Sequence, residues 1–440
     1  MFTDNYLSLR NSKESLAFLG KLLVDSKYQS LWEYDTKLLP HKVQKWRRKA
    51  KAFSQLYIRP LSRTVDIDPY TFDPNPLIQE ATRWGFQTII MPFPLGSAAL
   101  FPYLRSTTLQ VAVIAEEFAS ECGGLALLLL AHHLGVAPLL LSGHIPTWFK
   151  FLIPMYIKGA WFGKPTTMAF AITEPDAGSD VEDSIGAKDA HTQVTATPVK
   201  GGYILNGSKV FISDGGIADR ITVFAKIKGQ GIDSWTCFLV EKGMKGFSVG
   251  RREKKMGQRA SDASELIFDN VFVPKRNIVG KLKGGWPLNQ NVLNYSRPVV
   301  AAMALGHARG AFERALQFCN LHTYMGKKLI DYNEIQYELA DMLIKLMSIR
   351  MTIWRSCAHF RAVQSLSSIA KVYASDMAVE VCKQAMEIMG DEGVAHEWGV
   401  EKALRDARLT QIYEGTNQIN RYAIIEHQYT TDVAINNVIS

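Results

Sequence analysis

The spacing of apolar residues predicts that the first third of the chain is helical. From residue 16 to about residue 162, Leu, Phe, Ile and Trp recur every three or four positions, and few β-branched runs interrupt them. This is the period at which side chains return to the same face of an α-helix. We therefore expect an all-α block before the character of the chain changes.

The most apolar stretch, residues 125–141, lies within this block. It is short for a bilayer span and contains Pro138 as well as the adjacent His132 and His133. We predict a buried helix followed by a second apolar segment, and no transmembrane segment. Neighbouring histidines on a helix point about 100° apart and would not ligate one metal ion together, so a structural role is favoured and no metal site is predicted.

The middle of the chain, from about residue 166 to about residue 280, has the pattern of short strands. Residues 203–205 and 208–212 flank the turn pair Asn206-Gly207, which is a strong sequence signal for a hairpin. The chain therefore contains a β-rich insert. Its further strand-like segments, bounded by turn residues, are 221–227, 235–240, 247–249 and 266–273.

The helical period returns after Gly285. A helical block, a β-rich insert and a second helical block predict an α+β protein, because strands and helices do not alternate as in a doubly wound fold. No Gly-x-Gly-x-x-Gly follows a predicted strand either. The predicted C-terminal helices are 299–319, 334–362, 367–389 and 400–409, and the predicted divisions of the chain are an extension at 1–40 and domains at 41–165, 166–283 and 284–440.

Composition and charge narrow the class of protein. Of the 440 residues, 47% are hydrophobic and 21% are charged, as in an average soluble chain. The net charge of +8 favours an anionic partner, but no nucleic-acid-binding pattern accompanies it, so we expect a small phosphorylated ligand and no nucleic acid. Five separated cysteines without a CxxC pair predict neither a disulfide framework nor a zinc site. Acidic residues near the N-terminus argue against a targeting peptide, and we expect a cytoplasmic protein.

Four segments carry candidate chemistry. Residues 169–180 place small and hydroxyl residues around a proline turn, where a planar ligand could approach the backbone, although a structural loop would look the same. Residues 205–213 and 253–274 follow, and the second of these carries basic side chains suited to a phosphate. The last segment, 405–421, places a single carboxylate, Glu414, just after a helix.

In their order and spacing these segments resemble the acyl-CoA dehydrogenase family, over residues 41–430. The resemblance implies an N-terminal helical domain, a middle β-barrel-like domain and a C-terminal four-helix bundle. It also implies an FAD-dependent oxidation of an acyl-CoA thioester to the trans-2-enoyl form, in which a base removes the α-proton and flavin N5 takes the β-hydride. The position of Glu414 within Tyr-Glu-Gly-Thr is similar to that of the base in short- and medium-chain members.

The resemblance assigns Glu414 as the catalytic base. The residues agree with this role, because a lone carboxylate in an apolar pocket loses solvation and its pKa rises towards neutral. Some branched- and long-chain relatives place the base at the position of Ser296, where a serine cannot replace a carboxylate. The implied donors to the thioester oxygen are the backbone N–H of Glu414 and a ribityl hydroxyl of FAD.

The resemblance also implies the ligand contacts. Thr173 and Ser213 are expected to donate hydrogen bonds to the flavin ring, and Phe211 stands where many relatives have Trp. The CoA arm is expected to meet Ser179 and Arg297. The implied cofactor set here is Phe170, Ile172, Thr173, Gly178, Ser179, Phe211, Ile212, Ser213, Thr416 and Gln418, and the implied substrate set is Ser179, Asn294, Arg297 and Gly415.

The sequence departs from the family where the FAD diphosphate is held. Members use an arginine, a glutamine and a Gln-x-x-Gly-Gly turn across a subunit interface. Here His322 stands at the arginine, Asn333 at the glutamine, and Glu387, Gly390 and Asp391 lie in the turn. Neutral His lacks the bidentate fork of Arg, and two carboxylates disfavour a bound diphosphate. Three interpretations stay open. FAD is held by other groups, or it binds loosely, or a different chain completes the interface, and the first of these is favoured. The cations that could compensate the diphosphate charge are Lys327, Lys328 and Arg421.

The resemblance implies partners as well. These are an acyl-CoA substrate, an electron-transferring flavoprotein as acceptor, and further copies of the chain in a homotetramer or homodimer. Two alternatives stay open: an acyl-CoA oxidase-type flavoenzyme that uses oxygen, and a catalytically weak partner subunit of a hetero-oligomeric dehydrogenase. Chain length and branching of the acyl group are not predicted, because the pocket is formed by residues far apart in sequence.

Overall fold

The computed structural model describes residues 30–92, 95–98, 103–182, 186–358 and 361–439. Most of the predicted extension, 1–40, therefore lies outside the described residues. Within them, a helical block precedes a β sheet and a second helical block follows it, which confirms the predicted α+β class. The first block contains α1 (Leu31–Thr36), α2 (His41–Phe53), α3 (Ser62–Ile67), α4 (Asn75–Arg83), α5 (Tyr103–Ala119), α6 (Gly123–Leu141), α7 (Ile145–Thr147) and α8 (Ile153–Phe162), with π-helical turns at Ser54–Ile58 and Trp148–Leu152.

The prediction of a buried helix followed by a separate apolar segment is wrong, because α6 includes both parts. It continues to Leu141 as one helix with Pro138 inside its last turn. Among the described residues it alone is long and apolar enough to cross a membrane, but most of it is buried against the rest of the protein. His132 and His133 are buried too, and burial lowers the pKa of His133 to about 4, so its ring is neutral at pH 7.

The middle of the chain forms one mixed sheet. The strands are β1 (Met168–Ala171), β2 (Thr195–Val199), β3 (Gly202–Ser213), β4 (Arg220–Ile227), β5 (Thr236–Glu241), β6 (Phe247–Arg252), β7 (Ala263–Pro274) and β8 (Ile278–Val279). The strand order is β6-β7-β3-β2-β4-β5-β8, and β1 pairs in parallel with β4. The alternation of buried and partly exposed side chains along these strands gives the sheet its own hydrophobic core.

The hairpin predicted at Asn206-Gly207 is wrong. Strand β3 runs straight through this pair, and its pairing with β7 only shifts register there. Gly207 has a φ of 124°, and a Cβ at this position would lie 3.0 Å from the Cα of Val194. The glycine therefore permits a bulge and a close approach of backbone. The chain reverses earlier, between β2 and β3, where Gly201 has a φ of 84°.

The second helical block is built around α9, which is longer than predicted. The helix predicted for 299–319 begins at Gly285 and contains Pro298. The prediction for 400–409 is confirmed, and the helix predicted to reach residue 362 ends at Ser356. The elements are α9 (Gly285–Leu321), α10 (Asn333–Ser356), α11 (Gln364–Met389), α12 (Asp391–Val394), α13 (Val400–Leu409) and α14 (Asn417–Ile439), with short strands β9 (Thr323–Tyr324) and β10 (Lys327–Lys328).

The two helical blocks share one hydrophobic core, and the sheet packs against it. Helix α6 touches β1 at Gly135, where a Cβ would lie 2.7 Å from the carbonyl carbon of Met168. Only a glycine allows this helix and strand to approach so closely. The approach brings α6, α9 and the edges of β1 and β3 around one space.

Candidate active site

A cavity of about 230 Å³ lies where these elements meet. Its walls are mainly apolar and come from α5, α6 and α9, from β1 and β3, and from the turn that follows α13. Seven of the residues predicted from sequence line this one cavity, although they are spread over more than half of the chain. They are Phe170, Ile172, Thr173, Phe211, Ile212, Ser213 and Glu414.

A buried ion pair fixes the first two of the four segments against each other. Glu174 and Lys209 have fully buried side chains with their charged atoms 2.8 Å apart. The Lys209 ammonium also donates to the carbonyl of Ile172 at 2.5 Å, and the backbone N–H of Val194 donates to the Glu174 carboxylate at 2.9 Å. Because both charges are compensated, this pair orders the loop that carries Thr173 on the cavity wall.

Phe211 owes its position on the cavity wall to an irregularity in β3. The pairing of β3 with β7 shifts register between Lys209 and Ile212, and Phe211 has a φ of 58°, which is unusual for a residue other than glycine. Its ring is 59% exposed and lines the cavity. Strain of this kind is concentrated at functional sites, where surrounding structure maintains it.

Glu414 occupies the turn between α13 and α14, with a φ of 56°. The hydroxyl of Ser296 donates to its Oε2 at 2.5 Å. Burial raises the pKa of Glu414, and the Ser296 hydrogen bond and the charge of Arg297 offset part of that rise. A carboxylate with a raised pKa and an apolar surround is a stronger base than one in water. Sequence reasoning excluded Ser296 as a base and missed it as the donor to the base.

Arg297 lies behind this turn and not on the cavity wall. The side chain is fully buried, and it donates to the backbone carbonyl of Glu414 at 3.3 Å, to Ser368 Oγ at 3.2 Å and to Glu182 Oε2 at 3.2 Å. Each of its three guanidinium nitrogens thus donates a hydrogen bond to a protein atom. The other predicted substrate contact on α9, Asn294, does not line the cavity either, and its backbone carbonyl accepts from the Ser367 hydroxyl at 2.7 Å.

Two further charged residues at this end of the cavity were missed from sequence. Glu182 is 8% exposed and lines the cavity, and burial raises its pKa to about 7 while Arg297 opposes the rise. The Lys371 ammonium donates to the carbonyl of Gly415 at 2.6 Å and to Asn417 Oδ1 at 2.8 Å, and burial lowers its pKa to about 7. A lysine between Ala and Val in an apolar helix face was the available signal for Lys371.

The remaining predicted contacts next to the turn do not line the cavity. The backbone N–H of Thr416 donates to Ser179 Oγ at 3.2 Å, which ties the first segment to the last. Gly178 lies in the same loop, and Gln418 is exposed on the first turn of α14. Gly415 has a φ of 79°, and a Cβ there would lie 2.3 Å from Glu182 Oε2, so the turn requires glycine.

The residues predicted to hold a diphosphate lie outside this cavity. We call His322, Asn333, Glu387, Gly390 and Asp391 the helix-end set, because they follow α9, begin α10, and end α11 or begin α12. The His322 ring stacks on Phe318 with centroids 3.9 Å apart, and the other four residues are exposed. A single chain therefore does not bring the helix-end set to the cavity.

Comparison with known proteins gives consistent matches along the chain. Residues 169–271 match the middle domain of acyl-CoA dehydrogenases, and residues 283–429 match their C-terminal domain. The short-chain-specific acyl-CoA dehydrogenase of Clostridium acetobutylicum is 30% identical over 86% of this chain and 95% of its own length. An acyl-CoA dehydrogenase of Bacillus subtilis is 33% identical over 87% and 96%.

Solved structures give the same result. Butyryl-CoA dehydrogenase from Megasphaera elsdenii superposes with a TM-score of 0.81 at 31% identity, covering 89% of this chain and 99% of that one. A complex of PigA with FAD superposes with a TM-score of 0.78 at 25% identity, covering 88% and 97%. Both structures match the helix, sheet and helix arrangement that surrounds the cavity.

Proposed function

The chain belongs to the acyl-CoA dehydrogenase family and is a flavoprotein oxidoreductase that dehydrogenates acyl-CoA thioesters, and on that premise we propose that Glu414 is its catalytic base. One observation carries the assignment. The Glu414 carboxylate lines the apolar cavity and lies 2.5 Å from the Ser296 hydroxyl, with burial raising its pKa. It is thus placed to accept a proton inside a mainly apolar cavity.

The residues of the cavity account for the proton transfer. The ionised Glu414 carboxylate takes the α-proton, and the electrons of that C–H bond become the second bond between the α and β carbons as the β C–H bond breaks and its electron pair leaves as hydride for the acceptor that a bound flavin would supply. The Ser296 hydrogen bond orients the carboxylate towards this bond. The positive φ of Glu414, together with the donation from Arg297 to its carbonyl, holds the turn in place. The product is the 2-enoyl thioester.

We propose FAD as the flavin, and the composition of the cavity supports it. The aromatic rings of Phe170 and Phe211 offer faces to a planar ring, and the hydroxyls of Thr173 and Ser213 offer hydrogen bonds to its polar edge. When bound, the flavin supplies the acceptor for the β-hydride. The complex of PigA with FAD is consistent with this cofactor. The diphosphate contacts proposed from the helix-end set would come from a second copy of the chain.

The test compares the wild-type flavoprotein with Glu414→Gln. Under anaerobic conditions, the absorbance of bound flavin is followed after an acyl-CoA is added. We expect Glu414→Gln to keep its flavin and to bleach about 10³-fold more slowly, because a positioned base contributes that order of rate. Glu392→Gln on the exposed face of α12 is the matched control and should bleach at the wild-type rate. Bleaching at the wild-type rate by Glu414→Gln would remove the proposed role.

We propose short-chain acyl thioesters as the substrate class. The relatives from Clostridium acetobutylicum and Megasphaera elsdenii are named for short-chain substrates, and the walls of the cavity are mainly apolar, as an acyl group requires. The same bleaching assay, run from butyryl-CoA to palmitoyl-CoA, measures the preference directly. A maximum at the long-chain end would contradict this proposal without affecting the role of Glu414.

We propose further that an electron-transferring flavoprotein accepts the electrons, that the chain assembles as a homo-oligomer, and that it is cytoplasmic. The acceptor and the location follow from the resemblance and the sequence. Peroxide production without an added acceptor would favour an oxidase instead.

The assembly as a homo-oligomer is supported by three apolar residues on one exposed face of α10. Tyr337, Ile344 and Met351 repeat every seven residues along this helix and are 76%, 62% and 43% exposed. Sedimentation of the purified flavoprotein measures its assembly.

A further inference from the structure

Glu182 is a second carboxylate on the wall of the cavity that holds Glu414. It ends a short 3₁₀ turn, Ser179–Glu182, whose backbone is fixed to α9. The indole of Trp286 donates to the Val181 carbonyl at 3.0 Å, and the Gln290 amide donates to the Glu182 carbonyl at 2.8 Å. These two hydrogen bonds fix the backbone that carries the Glu182 carboxylate.

Arg297 connects Glu182 to the proposed base. Its guanidinium donates to the Glu182 carboxylate at 3.2 Å and to the backbone carbonyl of Glu414 at 3.3 Å. Glu182 Oε2 also lies in the space that a Cβ on Gly415 would need. The carboxylate thus touches the catalytic turn and forms an ion pair with the residue that holds that turn. A fully buried guanidinium without this partner would leave its charge to act on Glu414 alone.

We propose that Glu182 is a positioning residue for the base: its carboxylate anchors Arg297, and through Arg297 it fixes the Glu414 turn and balances the charge behind it. This inference rests on the proposed role of Glu414. The charged groups that face Glu182 are Arg297 from α9, Lys371 from α11 and Glu414 from the turn before α14. Asp376 in turn acts on Lys371.

The ionisation of Glu182 gives this role a pH dependence. Burial, together with the Glu414 charge, raises the pKa of Glu182 to about 7. The carboxylate that anchors Arg297 is therefore formed as pH rises through that region. We expect kcat/KM to rise in two steps, the lower from ionisation of Glu414 and the upper, near pH 7, from ionisation of Glu182.

The experiment measures kcat and KM against pH for the wild-type flavoprotein and for Glu182→Gln. The amide cannot ionise, so the variant should lose the upper step, keep the lower one, and have a kcat at pH 8 about tenfold below wild type, with KM changed less than about twofold. Glu182→Asp restores a charge one methylene further from Arg297 and should regain the upper step. Glu241→Gln is the control, because Glu241 pairs with Arg220 at the same 3.2 Å distance outside the cavity, and its profile should match wild type.

Persistence of the upper step in Glu182→Gln would overturn the inference, since Lys371 would then be its source. A change confined to KM would overturn it as well, because it would make Glu182 a substrate contact. If Glu182→Gln does not retain flavin, Lys371→Met decides: an upper step that survives there supports Glu182 as its source, and one that disappears assigns the step to Lys371 and overturns the inference. Full activity in Glu414→Gln would remove the proposed function itself, whereas an inactive Glu414→Gln beside an unchanged Glu182→Gln would remove only this inference.

Discussion

The buried end of the cavity and the helix-end set balance their charges in different ways. Around Glu414 and Glu182, each charge meets an opposite charge or a hydrogen-bond donor of the same chain. In the helix-end set, Glu387 and Asp391 are exposed, and His322 stacks on an aromatic ring. Charges withdrawn from water interact strongly, whereas exposed charges are screened. One chain therefore completes the proposed proton-transfer site, whereas the proposed diphosphate contacts depend on what lies against the surface of the helix-end set.

The largest expected effect tests the same contrast between buried and exposed charges at another buried ion pair, Glu174–Lys209. Lys209→Met leaves a buried carboxylate uncompensated and should lower the free energy of unfolding by about 3–5 kcal/mol. Arg251→Met removes one partner of an exposed pair and should cost about 0–1 kcal/mol. Urea unfolding followed by tryptophan fluorescence compares the two midpoints. Equal losses would mean that burial does not distinguish these pairs.

The next effect concerns the helix-end set. His322→Arg introduces a fork of donors that suits a diphosphate and should tighten flavin binding about tenfold, since a hydrogen bond to a charged group contributes at least that much. Titration of the apoprotein with FAD, followed by quenching of flavin fluorescence, measures the dissociation constant. His396→Arg, at an exposed histidine outside the helix-end set, is the control and should leave the dissociation constant unchanged. An equal dissociation constant for wild type and His322→Arg would place the diphosphate away from His322.

A smaller effect is expected at Ser296. Its donated hydrogen bond stabilises the Glu414 carboxylate and so lowers a pKa that burial raises. Ser296→Ala removes this stabilisation, the pKa of Glu414 rises further, and the ionised base forms only at higher pH. The acid limb of kcat/KM should move up by about 0.5 pH units, or about threefold in rate on that limb. Ser348→Ala on α10 is the control and should leave the acid limb in place. An acid limb that moved to lower pH in Ser296→Ala would contradict the assignment of Ser296 as donor.

The smallest effect is expected at Asn333. The side chain is exposed and neutral, so Asn333→Ala should change the dissociation constant of FAD less than about twofold. Asn320→Ala, on α9, provides the matched control in the same fluorescence titration. A tenfold loss at Asn333 alone would show that the helix-end set contributes to cofactor binding through this amide as well.

The sequence predicted the architecture because helical and strand periods are local patterns, set by which side chains must face a core. Thr173, Ser213 and Glu414 were predicted through the resemblance of their segments to a known family, and all three line the cavity. The turn at Gly201 was not predicted because Asn206-Gly207 carries a stronger local turn signal. Packing against Val194 decided that Gly207 forms a bulge.

The roles of Arg297, Glu182 and Lys371 could not be predicted in the same way. Each depends on contacts between residues separated by more than forty positions in the chain. Arg297 was expected to reach the substrate, and only the packing of α9 against the Glu414 turn directs it to protein atoms. Tertiary contacts of this kind decide whether a charged side chain faces a ligand or supports the residue that does.

The length of α9 has a consequence for how the flavoprotein behaves in solution. Ser296 lies beside the base and His322 just beyond the end of the helix, about 40 Å apart at ~1.5 Å per residue. A dinucleotide whose ring occupies the cavity cannot reach the His322 of its own chain, so a His322 that meets its diphosphate belongs to another copy. Cofactor occupancy would then follow mass action between chains: diluting the protein should release flavin and raise its fluorescence without any change of temperature or pH.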